Sequence, residues 1–149
     1  MILNRQRAVR AARRPLAVFL RQVKHELGLD EASVTVCLVS DKEIARMNEE
    51  FRKKKGPTDV LSFPTVARRR PVRLRRGSRP VKPGEYLGDI AISPSTARRY
   101  AKKNGRTLWS ELQVLILHGV LHLLGYDHET DHGQMDKVEQ KLRKRFGLT

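Results

Sequence analysis

The sequence has little of what secreted and membrane proteins use for stability or anchoring. It contains one cysteine, Cys37, in 149 residues, so no disulfide can form within the chain. No apolar run approaches the roughly 20 residues that a transmembrane helix requires, and the first ten residues lack an apolar segment of signal-peptide length. We therefore expect a cytoplasmic protein that has no membrane partner, with Cys37 in a structural core role.

Aromatic and acidic residues are also scarce. Aromatic residues make up only 5% of the chain, which argues against RNA-binding modules of the RRM or OB type, because these stack bases on exposed rings. Only 16 Asp and Glu residues oppose 31 Lys and Arg residues, which leaves a net charge of +15. Such a charge attracts polyanions over long distances. Nucleic acid is thus the leading class of partner, with anionic lipid as the alternative.

The chain does contain the periodic patterns of one folded domain, which we expect to span residues 1–149. Strands are predicted at 2–6, 33–39, 59–64 and 87–93, and helices at about 15–27, 40–51, 93–105, 107–124 and 133–146. The segment at 108–124 is apolar nearly all round, so we expect its helix to be central and buried. On the helix at 40–51, the expected packing residues are Ile44, Met47 and Phe51.

Residues 67–84 (ARRRPVRLRRGSRPVKPG) follow neither the helical nor the strand period. This composition predicts a mobile loop or the tip of a hairpin. Its arginines, and three lysines before it, are candidates for contact with an RNA backbone, although runs of charge are usually solvated surface. The basic residues concerned are Lys53, Lys54, Lys55, Arg68, Arg69, Arg70, Arg73, Arg75 and Arg76.

The densest group of chemically active residues is a set of histidines near the end of the predicted central helix. His118 and His122 are four residues apart, so on a helix they lie on one face and can bind the same ion. Gly125 can adopt a left-handed conformation that returns the chain, which would bring His128 to that ion. Three imidazoles with an open fourth position are typical of catalytic zinc, which there activates a water molecule.

The spacing HxxxHxxGxxH equals the three-ligand pattern of one class of zinc proteases. Those enzymes place a glutamate directly after the first histidine as the general base, whereas this chain has Gly119. The machinery for peptide hydrolysis is therefore incomplete. A zinc peptidase nevertheless stays open as an alternative, because the ligand spacing favours it.

Three ordered motifs resemble one known family. HGVLHLLGYDH at 118–128, MNEEFRKKKGPTDVLSFP at 47–64 and LGDIAIS at 87–93 are similar to the signatures of the bacterial YbeY family of metal-dependent endoribonucleases. The resemblance covers the chain from about Ser33 to the C-terminus. It implies an α+β fold, with a small mixed four-stranded sheet flanked by about five to six helices.

The resemblance also implies a function and a set of site residues. It implies cleavage of single-stranded RNA, maturation of the 3′ end of 16S ribosomal RNA on the small ribosomal subunit, and ribosome quality control, with a ribosomal protein or a GTPase as candidate partners. It implies one zinc ion bound by His118, His122 and His128, with His118 also counted as catalytic. Arg52 is implied in catalysis or RNA binding, whereas by itself it suits a solvated cation at a helix end.

The group that moves the proton is left open by the sequence. Asp59, Asp127, Glu129 and His132 are candidates because each lies near a motif. Asp127 can instead orient a ligand histidine or cap the turn, and Asp89 can support the site or end a strand. If His132 were a fourth ligand, the zinc would be closed and structural, and the protein would be a non-catalytic ribosome-assembly factor.

Overall fold

The fold is built on a mixed sheet of four strands, seen in a computed structural model that describes residues 1–75 and 77–148. The strands are β1 (Ile2–Asn4), β2 (Ser33–Leu38), β3 (Val60–Pro64) and β4 (Tyr86–Ile92). Their order in the sheet is β1-β2-β4-β3. β1, β2 and β4 are parallel, and β3 pairs antiparallel with β4. β3 therefore forms one edge of the sheet.

Helices flank this sheet, which confirms the expected α+β class. They are α1 (Arg13–Glu26), α2 (Asp41–Arg52), α3 (Pro94–Lys103), α4 (Leu108–Leu123) and α5 (Gln134–Arg145). Within residues 1–75 and 77–148, each helix falls short of the length and apolarity that crossing a bilayer would require.

The central helix is α4, as its sequence predicts. It contacts α1, α3, α5, β3 and β4, and Ile116, Leu117, Val120 and Leu121 are completely buried. A helix surrounded in this way has little freedom to shift, because the side chains that enclose it are close-packed. Any functional group on α4 is thus held by the core of the protein.

The opposite face of the sheet is covered by α2. Ile44 of α2 packs with Leu61 and the other members of a second apolar cluster, to which the half-buried Cys37 contributes from its edge. The prediction that Phe51 packs inward is wrong. Its side chain is 62% exposed, and its ring lies 5.2 Å from that of Phe63 in the edge strand β3.

The connection between β3 and β4 contains the arginine-rich segment. Because the two strands are antiparallel neighbours, the segment at 65–85 connects the two strands of a hairpin. It is not a free tip, since the Val72 N–H donates to the Leu124 carbonyl at 2.8 Å and the Tyr126 hydroxyl donates to the Val72 carbonyl at 3.0 Å. Arg76 lies outside the described residues.

Candidate metal centre

The three histidines meet at the C-terminal end of α4. His118 and His122 lie one turn apart on this helix, and their Nε2 atoms are 3.0 Å from each other. His128 approaches from the following loop, so that one nitrogen of each ring lies within 4.8 Å of the others. The structure thus brings together the three side chains that the sequence singles out.

Gly125 allows this return of the chain. Its φ is +95°, a left-handed value that disfavours side chains with a Cβ. A Cβ at this position would also lie 3.1 Å from the Cα of Pro71. The end of α4 is therefore packed directly against the β3–β4 connection.

Two aspartates of the loop after Gly125 hold its shape by accepting hydrogen bonds from backbone N–H groups of the loop and of the start of α5. Asp127 accepts a hydrogen bond from the Glu129 N–H at 3.0 Å, so it caps the turn that carries His128. Asp131 accepts hydrogen bonds from the N–H groups of Gly133 and Met135 at 2.9 and 2.8 Å and fixes the start of α5. Of the two roles open to Asp127, the geometry shows the capping one.

The side chain that orients a histidine is Glu139 of α5, which sequence reasoning missed. Its Oε1 lies 2.6 Å from Nδ1 of His118, and only 13% of the Glu139 side chain is exposed. With the carboxylate as acceptor, Nδ1 carries the proton and Nε2 keeps its lone pair toward the other histidines. A signal was present, because Glu139 lies on the same helix face as the buried Met135 and Leu142.

The protonation equilibria of the cluster suit cation binding. Burial, followed by the nearby His118 and His128, lowers the pKa of His122 to about 4, so this imidazole is neutral at cellular pH. Burial alone would raise the pKa of Glu139, but the hydrogen bond and charge of His118, with Arg143 and His122, outweigh it and lower that pKa. The site therefore combines the neutral imidazole of His122 with one carboxylate held as an anion.

The donor set fits a metal of the zinc type. Nitrogens bound at about 2.0–2.1 Å to tetrahedral zinc lie roughly 3.4 Å apart, close to the 3.0 Å between Nε2 of His118 and of His122. The group found among residues 1–75 and 77–148 consists of three histidines and does not include His132. A closed four-ligand structural site thus finds no support from His132.

Gly119, where zinc proteases carry glutamate, faces the sheet. A Cβ there would lie 2.8 Å from Cδ1 and Cγ2 of Ile90, and the Gly119 carbonyl accepts a hydrogen bond from the Ser62 hydroxyl at 3.2 Å. The helix needs glycine here to approach β4 closely. A side chain at this position would therefore start out toward β4, against Ile90.

A cleft of about 690 Å³ opens in front of the histidines. It is lined by β3 and the chain leading into it, by the end of α4 and by residues 125–129. Arg52 and Lys54 reach the cleft from the end of α2, and Arg52 lies 3.3 Å from Glu129 across it. The predicted catalytic arginine therefore shares one cavity with the three histidines.

The remaining candidates separate into two groups. Asp59 and Glu129 line the cleft together with Asp127, so they stay candidates for proton transfer. Asp89 does not line it, since its carboxylate accepts a hydrogen bond from the Tyr86 hydroxyl on an exposed part of β4. His132 is exposed and its backbone N–H is bound by Gln134.

Comparison with known proteins points to one family. The sequence profile described as Endoribonuclease YbeY matches residues 2–147. The Endoribonuclease YbeY of Solibacter usitatus is 40% identical over 144 residues, which covers 96% of this chain and 86% of that protein. That of Koribacter versatilis is 38% identical over 148 residues, which covers 99% of this chain and 86% of that protein.

A solved structure is also similar. The solution structure of TM1509 from Thermotoga maritima matches with a TM-score of 0.55 and 27% identity, over 99% of this chain and 90% of that one. The similarity to the profile begins at residue 2. It thus includes β1 and α1, which precede the motifs that the sequence resemblance rested on.

Proposed function

Because the chain belongs to the Endoribonuclease YbeY family, we propose that it is a zinc-dependent endoribonuclease that cuts single-stranded RNA. In this proposal residues 1–149 act as one catalytic domain, with His118, His122 and His128 as the ligands of one zinc ion. The RNA is the precursor of 16S ribosomal RNA on the small ribosomal subunit, and the cut contributes to 3′-end maturation and to ribosome quality control.

The observation that carries the proposal is the shared cleft. It is lined by the three converging imidazoles and also by Arg52 and Lys54. A phosphodiester that enters this space meets a metal site and two cations together. Each phosphodiester carries a negative charge whereas a peptide bond is neutral, and Gly119 offers no glutamate base for peptide hydrolysis.

The residues of the chain have separable tasks in this reaction. Zinc, when bound, supplies activation of a water molecule and polarisation of a phosphoryl oxygen. Glu139 holds the ring of His118 so that Nε2 points at the metal position. Arg52 neutralises charge that develops on the phosphate, and its planar guanidinium can bind two phosphate oxygens at once.

Cleavage of RNA by the wild type and by His118→Ala, with metal content measured on both, tests the proposal. We expect the variant to lose both metal and cleavage. RNA cleavage that survives complete loss of metal would overturn the assignment. Casein offered in parallel distinguishes a peptidase, since its hydrolysis without RNA cleavage would replace this function by that one.

The same RNA cleavage assay can identify the nucleophile. Water and the RNA 2′-hydroxyl next to the cut are the two alternatives. Replacing that hydroxyl by hydrogen removes internal attack only. Continued cleavage of the substituted RNA therefore identifies water.

A further inference from the structure

We propose that four arginines of the β3–β4 connection form a fixed binding surface for the phosphate backbone of RNA that extends beyond the cleft. We call this surface the arginine ridge; it consists of Arg69, Arg70, Arg73 and Arg75. The inference rests on the proposed ribonuclease function, and it adds a second contact region outside the cavity that holds the histidines.

In the short stretch at 72–75, half-buried and exposed side chains alternate. Val72 and Leu74 are half-buried and pack against the main apolar core, whereas Arg73 and Arg75 are exposed. In an extended chain, neighbouring side chains point in opposite directions. The two apolar residues thus attach the segment to the protein and leave the two arginines in solvent.

Backbone contacts hold the ridge in place. The Val72 backbone is bound at both its N–H and its carbonyl, by Leu124 at 2.8 Å and Tyr126 at 3.0 Å. Beyond the ridge, the Ser78 carbonyl lies so close to Gly28 that a Cβ there would be 2.1 Å from it. A surface fixed before binding loses less conformational entropy when a ligand arrives.

The ridge begins at the mouth of the cleft. Ala67 and Arg68 line the cavity, and the backbone of Arg70 lies against Gly125, three residues before His128. From Arg69 to Arg75 the chain spans at most roughly 22 Å when extended. A strand of RNA that leaves the histidines can therefore continue directly onto it.

The charges of the ridge are available for a polyanion. The ion pairs of the connection, Arg68 with Glu85 and Arg79 with Glu31, lie outside the ridge. Among residues 1–75 and 77–148, the four ridge arginines form no ion pair. Arginine binds phosphate oxygens through a planar fork of donors, which suits contact with the backbone irrespective of base sequence.

The double variant Arg73→Gln, Arg75→Gln tests this surface in the zinc-loaded enzyme. With a single-stranded RNA of about 20 nucleotides, we expect kcat/KM to fall roughly tenfold at 0.1 M salt through a higher KM, with kcat unchanged. The dependence of log(kcat/KM) on log[KCl] should become shallower by about 1.4, at about 0.7 per phosphate contact. With an RNA of about four nucleotides, which fills only the cleft, both enzymes should cleave equally.

A matched control removes equal charge elsewhere. Arg98 and Lys102 are exposed on α3 and do not line the cleft, so Arg98→Gln, Lys102→Gln should leave the salt dependence nearly unchanged. The proposed role of the arginine ridge would be contradicted if the two double variants lost kcat/KM equally. It would also be contradicted if Arg73→Gln, Arg75→Gln lost kcat/KM equally on the short and the long RNA. Absence of RNA cleavage by the wild type would instead refute the proposed function itself.

Discussion

The histidine cluster and the cationic groups in and beside the cleft, here called the histidine side and the cationic side, hold their functional groups by different means. The histidines belong to α4 and its return loop, where completely buried residues such as Leu117 and Val120 surround the helix. The cations belong to the end of α2 and to the arginine ridge, where side chains are exposed and the anchoring residues are only half-buried. A metal site needs fixed angles, and a phosphate contact tolerates movement.

This difference predicts that substitutions have different consequences on the two sides. On the histidine side they should change stability and metal affinity. On the cationic side they should change the interaction with RNA and leave the fold nearly intact.

The largest difference should appear when leucine is shortened on each side. Leu117→Ala empties completely buried space on α4 and should reduce the free energy of unfolding by about 2–5 kcal/mol. Leu74→Ala removes a half-buried side chain of the connection and should cost about 1 kcal/mol. Urea unfolding of both variants measures this, and equal losses would mean that the connection belongs to the same cooperative core as α4.

A smaller effect is expected when only the orientation of a histidine is changed. Glu139→Gln keeps an acceptor near Nδ1 of His118 but removes its charge, so the dissociation constant for zinc should rise roughly 10- to 100-fold. Competition with a chelator measures this without any RNA. Asp136→Asn, at an exposed position of the same helix, is the control; if the two variants bind zinc equally well, Glu139 has no orienting role.

On the cationic side, Arg52→Lys should preserve stability and zinc affinity. We expect kcat/KM for RNA to fall about tenfold, because lysine keeps the charge and loses one charge-assisted hydrogen bond. Arg46→Lys on the exposed face of the same helix should leave the rate unchanged. An Arg52→Lys enzyme of wild-type rate would reduce Arg52 to a surface cation.

The same difference explains what the sequence alone could predict. The positions of His118 and His122 follow from helical period, and the return to His128 follows from Gly125, so local pattern was sufficient. Glu139 was missed because its contact joins two helices across 21 residues. The path of the connection at 65–85 depends on distant partners such as Leu124 and Tyr126, which no local period encodes. Phe51 continues the apolar stripe of its helix, but its position lies past the part of the helix that packs on the sheet, so its side chain is exposed.

The smallest expected effect is a change in stability at Gly119, the position where zinc proteases carry a glutamate. Gly119→Ala should gain about 1 kcal/mol in helix propensity but lose about 1–3 kcal/mol through crowding, because its Cβ would lie 2.8 Å from Ile90. We expect a net loss of about 1 kcal/mol in urea unfolding. Combining it with Ile90→Ala should make the double variant more stable than the sum of the single losses. Strict additivity would show that Ile90 does not exclude the side chain, and the absence of glutamate would then need another cause.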